Sequence, residues 1–356
     1  MNVFGLDMQM KHLPVLDKGF IPMAAFVRAF EKSAAGGKEL AIAVERNQGQ
    51  VAVRRCRVHG TPEMAEADRV YVDRTVKMML WAYGGWKVTI CGDEDLGSQI
   101  AQAYRPGGSR EFDADFMSRV YERDFEVAIL PLEKTPQEKS LSAPVGRHLD
   151  GCRIGFDAGG SDRKVSAVVD GVPVYSEEVV WHPKTNSDPD YHYQGILSAF
   201  RAAAEKMPRV DAIGVSSAGI YVDNRAMVAS LFLKVPREEF DRKVKDIYIR
   251  AARELGDIPL EVANDGDVTA LAGAMSLEEN RILGIAMGTS EAAGYVDQEG
   301  NITGWLNELA FAPVDLQADA MVDEWSGDKG CGVKYFSQDS VIKLAPRAGI
   351  QLEEGE

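Results

Sequence analysis

Apolar and polar positions alternate along residues 39–46 (ELAIAVER) and again along residues 50–58 (QVAVRRCRV), with Asn47-Gln48-Gly49 between them. Successive side chains of a strand point to opposite faces, so a period of two on both sides of a turn predicts a β-hairpin. Over residues 68–83 the period changes. Val72, Val76, Met79, Leu80 and Tyr83 fall at helical spacing, and Gly84-Gly85 ends the run. A short buried strand (WKVTICG), a helix near residues 94–104 and a second buried strand (FEVAILPL) follow. The next stretch, EKTPQEKSLSAPVGRHLDG, is polar and proline-rich and reads as a linker.

From Cys152 the pattern is different. RIGFDAGG, VSAVVDG and VPVYSEEVVW predict three short strands, the last two joined through Asp170-Gly171, a hairpin signal. An amphipathic helix (193–206), a strand (VDAIGVSSAG), a helix (236–255), a strand (PLEVAND), a helix (VTALAGAMS) and a strand pair (ILGIAMGTS with AAGYVDQEGN) come next. Strands alternating with helices after a β-meander predict an α/β domain. The expected organisation is a small α/β unit over residues 1–135, a linker over 136–150 and a core over 151–356.

Composition narrows the class. The chain has 356 residues, 45% of them hydrophobic, enough for two or three lobes with cores of their own. Cys56, Cys91, Cys152 and Cys331 stand far apart with no C-x-x-C pair. That suggests neither a disulfide framework nor a zinc knuckle, and it fits a reducing cytoplasm. No apolar run approaches the roughly 20 residues of a membrane helix, and the N-terminal residues lack a signal sequence, so neither a membrane partner nor secretion is expected. The net charge is −15, and it is uneven: 20 Lys and Arg face 21 Asp and Glu up to residue 150, and 20 face 34 beyond it. An acidic body repels nucleic-acid phosphates, so nucleic acid is not an expected partner.

Three places carry candidate chemistry. The loop Asp157-Ala158-Gly159-Gly160-Ser161 lies between the first two strands of the core. Glycines let backbone N–H groups come close to an anion, a hydroxyl adds a donor, and a carboxylate can face Mg²⁺ through water, although a glycine pair between strands also serves as a plain turn. A second glycine–hydroxyl turn, Gly288-Thr289-Ser290, follows another buried strand. Between them, Asn264-Asp265-Gly266-Asp267 ends a strand and opens a helix. A carboxylate there points into the crevice where α/β sheets bind ligands and can accept a hydroxyl proton during phosphoryl transfer. The same position also suits Asp265 or Asp267 as a helix cap.

Taken in this order, the motifs resemble the ROK family of sugar kinases and repressors, members of the actin/hexokinase-like superfamily. The first loop is similar to the family's D-x-G-G-T phosphate motif, with Ser161 in place of Thr. AIGVSSAG stands where the family has a G-x-P-G-like loop, with Ala218 where Pro is usual; Ser217 and Gly219 then fall in the substrate-binding loop. Asn264-Asp265 match the family's N-D pair, which implies that Asn264 touches the sugar and Asp265 is the catalytic base. Gly288-Thr289 match the second phosphate loop. Asn307-Glu308-Leu309-Ala310-Phe311 takes the place of the sugar- and zinc-binding E-I-G-H segment, with Glu308 on the sugar. The resemblance covers about residues 152–340. It implies ribonuclease H-like, actin-like ATPase lobes, a first at 151–260 and the start of a second at 261–356, with an additional N-terminal α/β unit. It also implies ATP with Mg²⁺, a sugar or sugar-derivative substrate, and a second copy of the chain as a candidate partner.

The departures shape the expectation. Phe311 replaces the family's zinc-ligand His and only Cys331 is left of its cysteine cluster, so no zinc is expected. Glu291 would bring negative charge close to a γ-phosphate. The family's adenosine-holding strand end is not seen before Glu356, so a fragment is expected, with weak ATP binding; the alternative is that the N-terminal unit supplies that part. A sugar kinase is the leading reading. The alternatives are a non-catalytic sugar or nucleotide sensor and a ROK-type repressor, the last disfavoured because residues 1–150 show no basic helix-turn-helix. His182 and His192 read as solvated loop residues, and Trp305 and Trp325 as packing residues rather than sugar platforms.

Overall fold

The computed structural model describes residues 1–142 and 145–352. Ala143 and Pro144 of the expected linker, and residues 353–356 of the expected core, lie outside the described residues. The chain forms two compact units. Unit 1 comprises Met1–Leu141, Ile285–Ala293 and Trp305–Glu356; unit 2 comprises Ser142–Gly284 and Gly294–Gly304. This partition differs from a simple break near residue 151, because late segments of the chain return to the N-terminal unit. Among the described residues no helix is long and apolar enough to cross a membrane.

In unit 1, α1 (Met23–Ser33) precedes the hairpin β1 (Lys38–Glu45) and β2 (Val51–Val58); α2 (Ala65–Tyr83), β3 (Lys87–Cys91), α3 (Glu94–Ala103), α4 (Glu111–Tyr121) and β4 (Glu126–Leu130) follow. The sheet order is β2-β1-β3-β4, with β1 antiparallel to both neighbours and β3 parallel to β4. The hairpin, α2, both buried strands and α3 are where the hydrophobic pattern puts them; α1 and α4 are additions to it. Helix α2 is sealed by residues from the far end of the chain. Lys77 has no exposed surface, and its ammonium lies 3.2 Å from both Asp113 and Asp328. Arg74 and Arg110 also pair with Asp328, and Arg110 with Asp73. Two buried cations and one partly buried one thus meet three carboxylates, which is the condition under which charges tolerate a low-dielectric interior.

Unit 2 is built on β5 (Cys152–Ala158), β6 (Asp162–Val169), β7 (Val172–Val180), α5 (Pro189–Ala204), β8 (Ala212–Ser217), the short pair β9 (Ile220–Val222) and β10 (Arg225–Val228), α6 (Ile247–Arg253), β11 (Leu260–Asn264) and α7 (Asp265–Leu277). The five-stranded sheet runs β11-β8-β5-β6-β7. The meander β5-β6-β7 is antiparallel, while β8 is parallel to both β5 and β11. This strand order, with only the second strand reversed against the first, is the ribonuclease H-like arrangement. The region expected as one helix over 236–255 is broken into a turn at Arg237–Glu239, a π-helical turn at Phe240–Val244 and α6.

Alternation along β5 decides which side of this sheet is core. Cys152, Ile154, Phe156 and Ala158 are buried, while Arg153, Gly155 and Asp157 are only partly so. Ile154, Phe156 and Val215 pack with Phe200 of α5 and Tyr248 of α6 in the main core, Phe156 meeting Phe200 edge-on at 5.4 Å. Against the opposite face lies α7, whose Ala270, Leu271 and Ala274 form a smaller core with Val296 and Ile302. The strands β12 (Ile282–Met287) and β13 (Glu291–Val296) pair as a hairpin whose tip, residues 285–293, belongs to unit 1.

Candidate active site

The polar face of the unit 2 sheet ends at a row of register partners. Lys164 of β6 stands opposite Asp157 of β5, which stands opposite Ser216 of β8, which stands opposite Ala263 of β11. Residues Gly155, Asp157, Lys164, Ser166, Gly214 and Ser216 of this face, with Val268 and Leu271 of α7, line a cavity of about 520 Å³. Small residues along β5 and β8 keep that side of the sheet open, and parallel strands present their C-terminal ends at its rim, the usual ligand side of an α/β sheet.

Asp265 sits at this rim. It is the first residue of α7, and burial followed by the nearby charge of Asp157 pushes its carboxyl above the ordinary range, partly offset by the Gly266 N–H. Its Oδ1 accepts that N–H at 3.0 Å. The helix cap, assigned in the structural reading of the sequence to Asp265 or Asp267, is Asn264: its Oδ1 accepts from Gly266 N at 2.7 Å and its Nδ2 donates to the Gly219 carbonyl at 2.7 Å. Asp267 is buried and its carboxylate accepts from the Tyr295 N–H. Asn264 therefore ties α7 to the 217–219 loop, and the cap does not rest on Asp265.

Ser217 has no exposed surface, and its Oγ is the acceptor of the Tyr221 hydroxyl at 2.6 Å and the Tyr248 hydroxyl at 3.0 Å. Burial raises both tyrosines, Tyr248 to about 12, so both stay protonated donors at neutral pH. Gly219 adopts φ +142, and a Cβ there would meet the Val228 carbonyl at 2.6 Å, which only glycine avoids. These residues hold the loop beside Asn264.

The loop Gly159-Gly160-Ser161 is fixed from one side by Trp181, whose indole N–H donates to the Gly159 carbonyl at 2.8 Å and whose backbone N–H donates to the Ser161 carbonyl at 3.0 Å. Ser161 Oγ donates to Asp162, which pairs with Lys164 at 2.6 Å. A Cβ on Gly160 would come within 2.9 Å of the Lys184 ammonium, so a cation the motif does not contain stands at the glycine pair. Lys184 is delivered by the 182–188 loop, and His192 anchors that loop: fully buried, its ring lies 2.9 Å from the Asp188 carbonyl and 3.0 Å from the Pro183 carbonyl. His192 is thus corrected from a solvated residue to an internal clamp, because α5 begins at Pro189 and turns the ring inward. His182 is exposed, as read.

The remaining candidates belong to unit 1. Gly288, Thr289 and Ser290 are exposed at the tip of the β12–β13 hairpin, where the Gly288 N–H closes the turn onto the Ser290 carbonyl at 2.9 Å. Glu291 does not present its charge to that turn: it is 6% exposed, its Oε2 has no hydrogen-bond partner, and burial pushes its carboxyl up to about 7. Glu308 is half-buried, and its carbonyl accepts from the Phe311 N–H. Phe311 lies 4.3 Å from Trp81 and 5.7 Å from Phe112 in an aromatic cluster. Cys331 is buried and burial holds its thiol up at about 11. Among the described residues no three His, Cys, Asp or Glu side chains gather as a metal site. Trp305 packs edge-on against Tyr83, and Trp325 is exposed.

Lys184, Lys164 and Tyr221 went unread in the sequence. Only Lys164 had a signal there, since its register with Asp157 follows once the length of the turn is known.

No protein-family model matches the chain, and no curated protein matches it. Solved structures do. A ROK family transcriptional regulator, a homologue of the E. coli MLC protein, is 16% identical over 56% of this chain and 50% of its own, with a TM-score of 0.44. The ROK hexokinase from Thermus thermophilus is 16% identical over 57% of this chain and 66% of its own, at 0.42. A ROK family protein from Streptococcus pneumoniae, solved with sucrose, is 11% identical over 56% and 63%, at 0.39. This chain therefore spans from half to about two thirds of the length of these three proteins, each of which is a ROK family protein.

Proposed function

We propose that unit 2 carries the site of a phosphotransferase that moves the γ-phosphoryl group of ATP to a hydroxyl of a sugar or sugar derivative. The observation that carries this reading is the placement of Asp157 and Asp265 at the same end of a ribonuclease H-like sheet, Asp157 in β5 and Asp265 just after β11, the two strands that flank β8, close enough for the charge of one to raise the other. A raised carboxyl is a better proton acceptor than an ordinary one.

In this reading Asp265 takes the proton of the acceptor hydroxyl as that oxygen bonds to the γ-phosphorus and the bond to the leaving diphosphate breaks. Oδ1 is oriented by the Gly266 N–H, which leaves Oδ2 for the substrate. The Gly159-Gly160-Ser161 loop, held by Trp181 and flanked by Lys184, receives phosphate oxygens. The donor chemistry suits Mg²⁺: the carboxylate of Asp157 would hold the ion, which would neutralise charge on the phosphates. Ser217, Gly219 and Asn264 shape the acceptor side. Gly288, Thr289 and Ser290 on phosphate, and Glu308 on the sugar, keep the roles the resemblance implies as part of the proposal, as do a cytoplasmic location and the lack of zinc.

The test is ADP release from ATP and Mg²⁺ with a panel of hexoses, amino sugars and their derivatives, run on the chain and on Asp265→Asn. Transfer to at least one sugar, abolished in the variant, is expected. ATP binding with no transfer to any acceptor would replace the kinase with a sensor.

A further inference from the structure

Unit 1 has a cavity of its own, about 720 Å³, between α1, α2 and β2. Its walls are of two kinds. Val27, Met78, Met79, Tyr83 and Trp305 supply an apolar surface with two aromatic rings. Arg28, Arg46, Arg54, Arg74 and Lys139 line it as well, against the single carboxylate Glu138. In a chain of net charge −15 such a local excess of cations is not a sample of the average surface.

Two of these cations are already neutralised, Arg54 by Glu31 and Arg74 by Asp328. Arg28, by contrast, makes no ion pair among the described residues, and Lys139 donates to the Gln48 carbonyl. Arg54 adds a buried Nε–H with no acceptor. A buried donor without a partner is uncommon because water must be given up for nothing. Guanidinium groups beside an aromatic wall suit a carboxylate or phosphate attached to a flat apolar body.

We propose that this cavity is a binding site for a small organic anion with an aromatic or apolar body. It lies wholly within unit 1 and does not depend on the phosphotransfer reading. The cations would hold the acidic head, and Trp305, Tyr83 and the methionines would cover the body.

The experiment is a fluorescence titration of the full chain with 8-anilinonaphthalene-1-sulfonate, an aromatic anion, followed by displacement with phenyl phosphate, benzoate, benzyl alcohol and inorganic phosphate. One saturable site, weakened by salt and displaced by phenyl phosphate or benzoate but not by benzyl alcohol or inorganic phosphate, is expected. The better of the two aromatic competitors identifies the acidic head. Arg28→Glu, on the exposed side of α1, should weaken the dye about tenfold or more, Arg28→Lys should largely keep it, and Ala82→Trp should block it by filling the wall. Thermal melts confirm that each variant is folded, and Arg28→Glu decides the matter should Ala82→Trp fail to fold. Absence of a saturable site, equal displacement by the neutral alcohol, or dye binding indifferent to Arg28→Glu would overturn the proposal.

Discussion

At the scale of single residues, Asp265 and Glu291 are both acids pushed upward by burial, with opposite uses. Asp265 is freed from capping by Asn264, so Asp265→Asn should leave the melting temperature nearly unchanged while lowering kcat by about 10² to 10⁴, the usual worth of a general base. The acid limb of the pH–rate profile should lie above the ordinary carboxylate range, because the base works only when ionised. A melting point that drops while turnover persists would make Asp265 structural. Glu291 has no such task. Its folded value of about 7 lies above the ordinary 4.5, so folding favours its protonated form. The stabilisation is complete below the unfolded value and is lost as pH rises through about 7. Glu291→Gln should therefore flatten the fall in stability between about pH 5 and 8, a difference of about 1–3 kcal/mol. Urea unfolding at the two pH values checks it.

At the scale of elements, the open edge of β11 is covered by one side chain. Asn224 has φ +64, and its side chain accepts from Val262 N at 2.7 Å and donates to the Leu260 carbonyl at 2.9 Å, copying a neighbouring strand. Asn224→Ala leaves both backbone groups unpaired and should cost about 1–3 kcal/mol, read from denaturant unfolding. In unit 1 the 309–311 turn is fastened by Phe311 among Trp81, Phe112 and Phe116. Phe311→His places a polar ring in that cluster and should destabilise rather than create a metal site, since Cys331 is the only ligand left of the resembled set. Metal analysis of the unaltered protein and of this variant is expected to find no stoichiometric zinc; about one zinc per chain in either would refute this.

At the scale of the molecule, the order of the chain is not the order of its units. The last segment of the chain, from Trp305, belongs to unit 1, and Asp328 ties it there, held by Lys77, Arg74 and Arg110. Those cations keep its carboxyl well below the usual range. Asp328→Ala strands three partly or fully buried cations with two carboxylates and should destabilise unit 1 by about 3–5 kcal/mol. Loss of far less than this in urea titrations would mean that water reaches the cluster.

The sequence alone determined the strands, most helices and the identity of the acids, because side-chain period and turn chemistry are local. The hairpin at Asn47-Gln48-Gly49, the meander from Cys152 and the strand that delivers Asn264-Asp265 were legible for that reason. The tertiary structure decided the rest. Which of Asn264, Asp265 and Asp267 caps α7 depends on where the Gly219 carbonyl lies; whether Glu291 faces solvent depends on what covers it. Lys184 reaches the Gly159-Gly160 loop only because His192 folds the 182–188 segment inward, and Asp328 neutralises Lys77 across more than two hundred positions of chain. Burial and charge pairing act through space, and no periodicity along the chain encodes which distant segment will supply them.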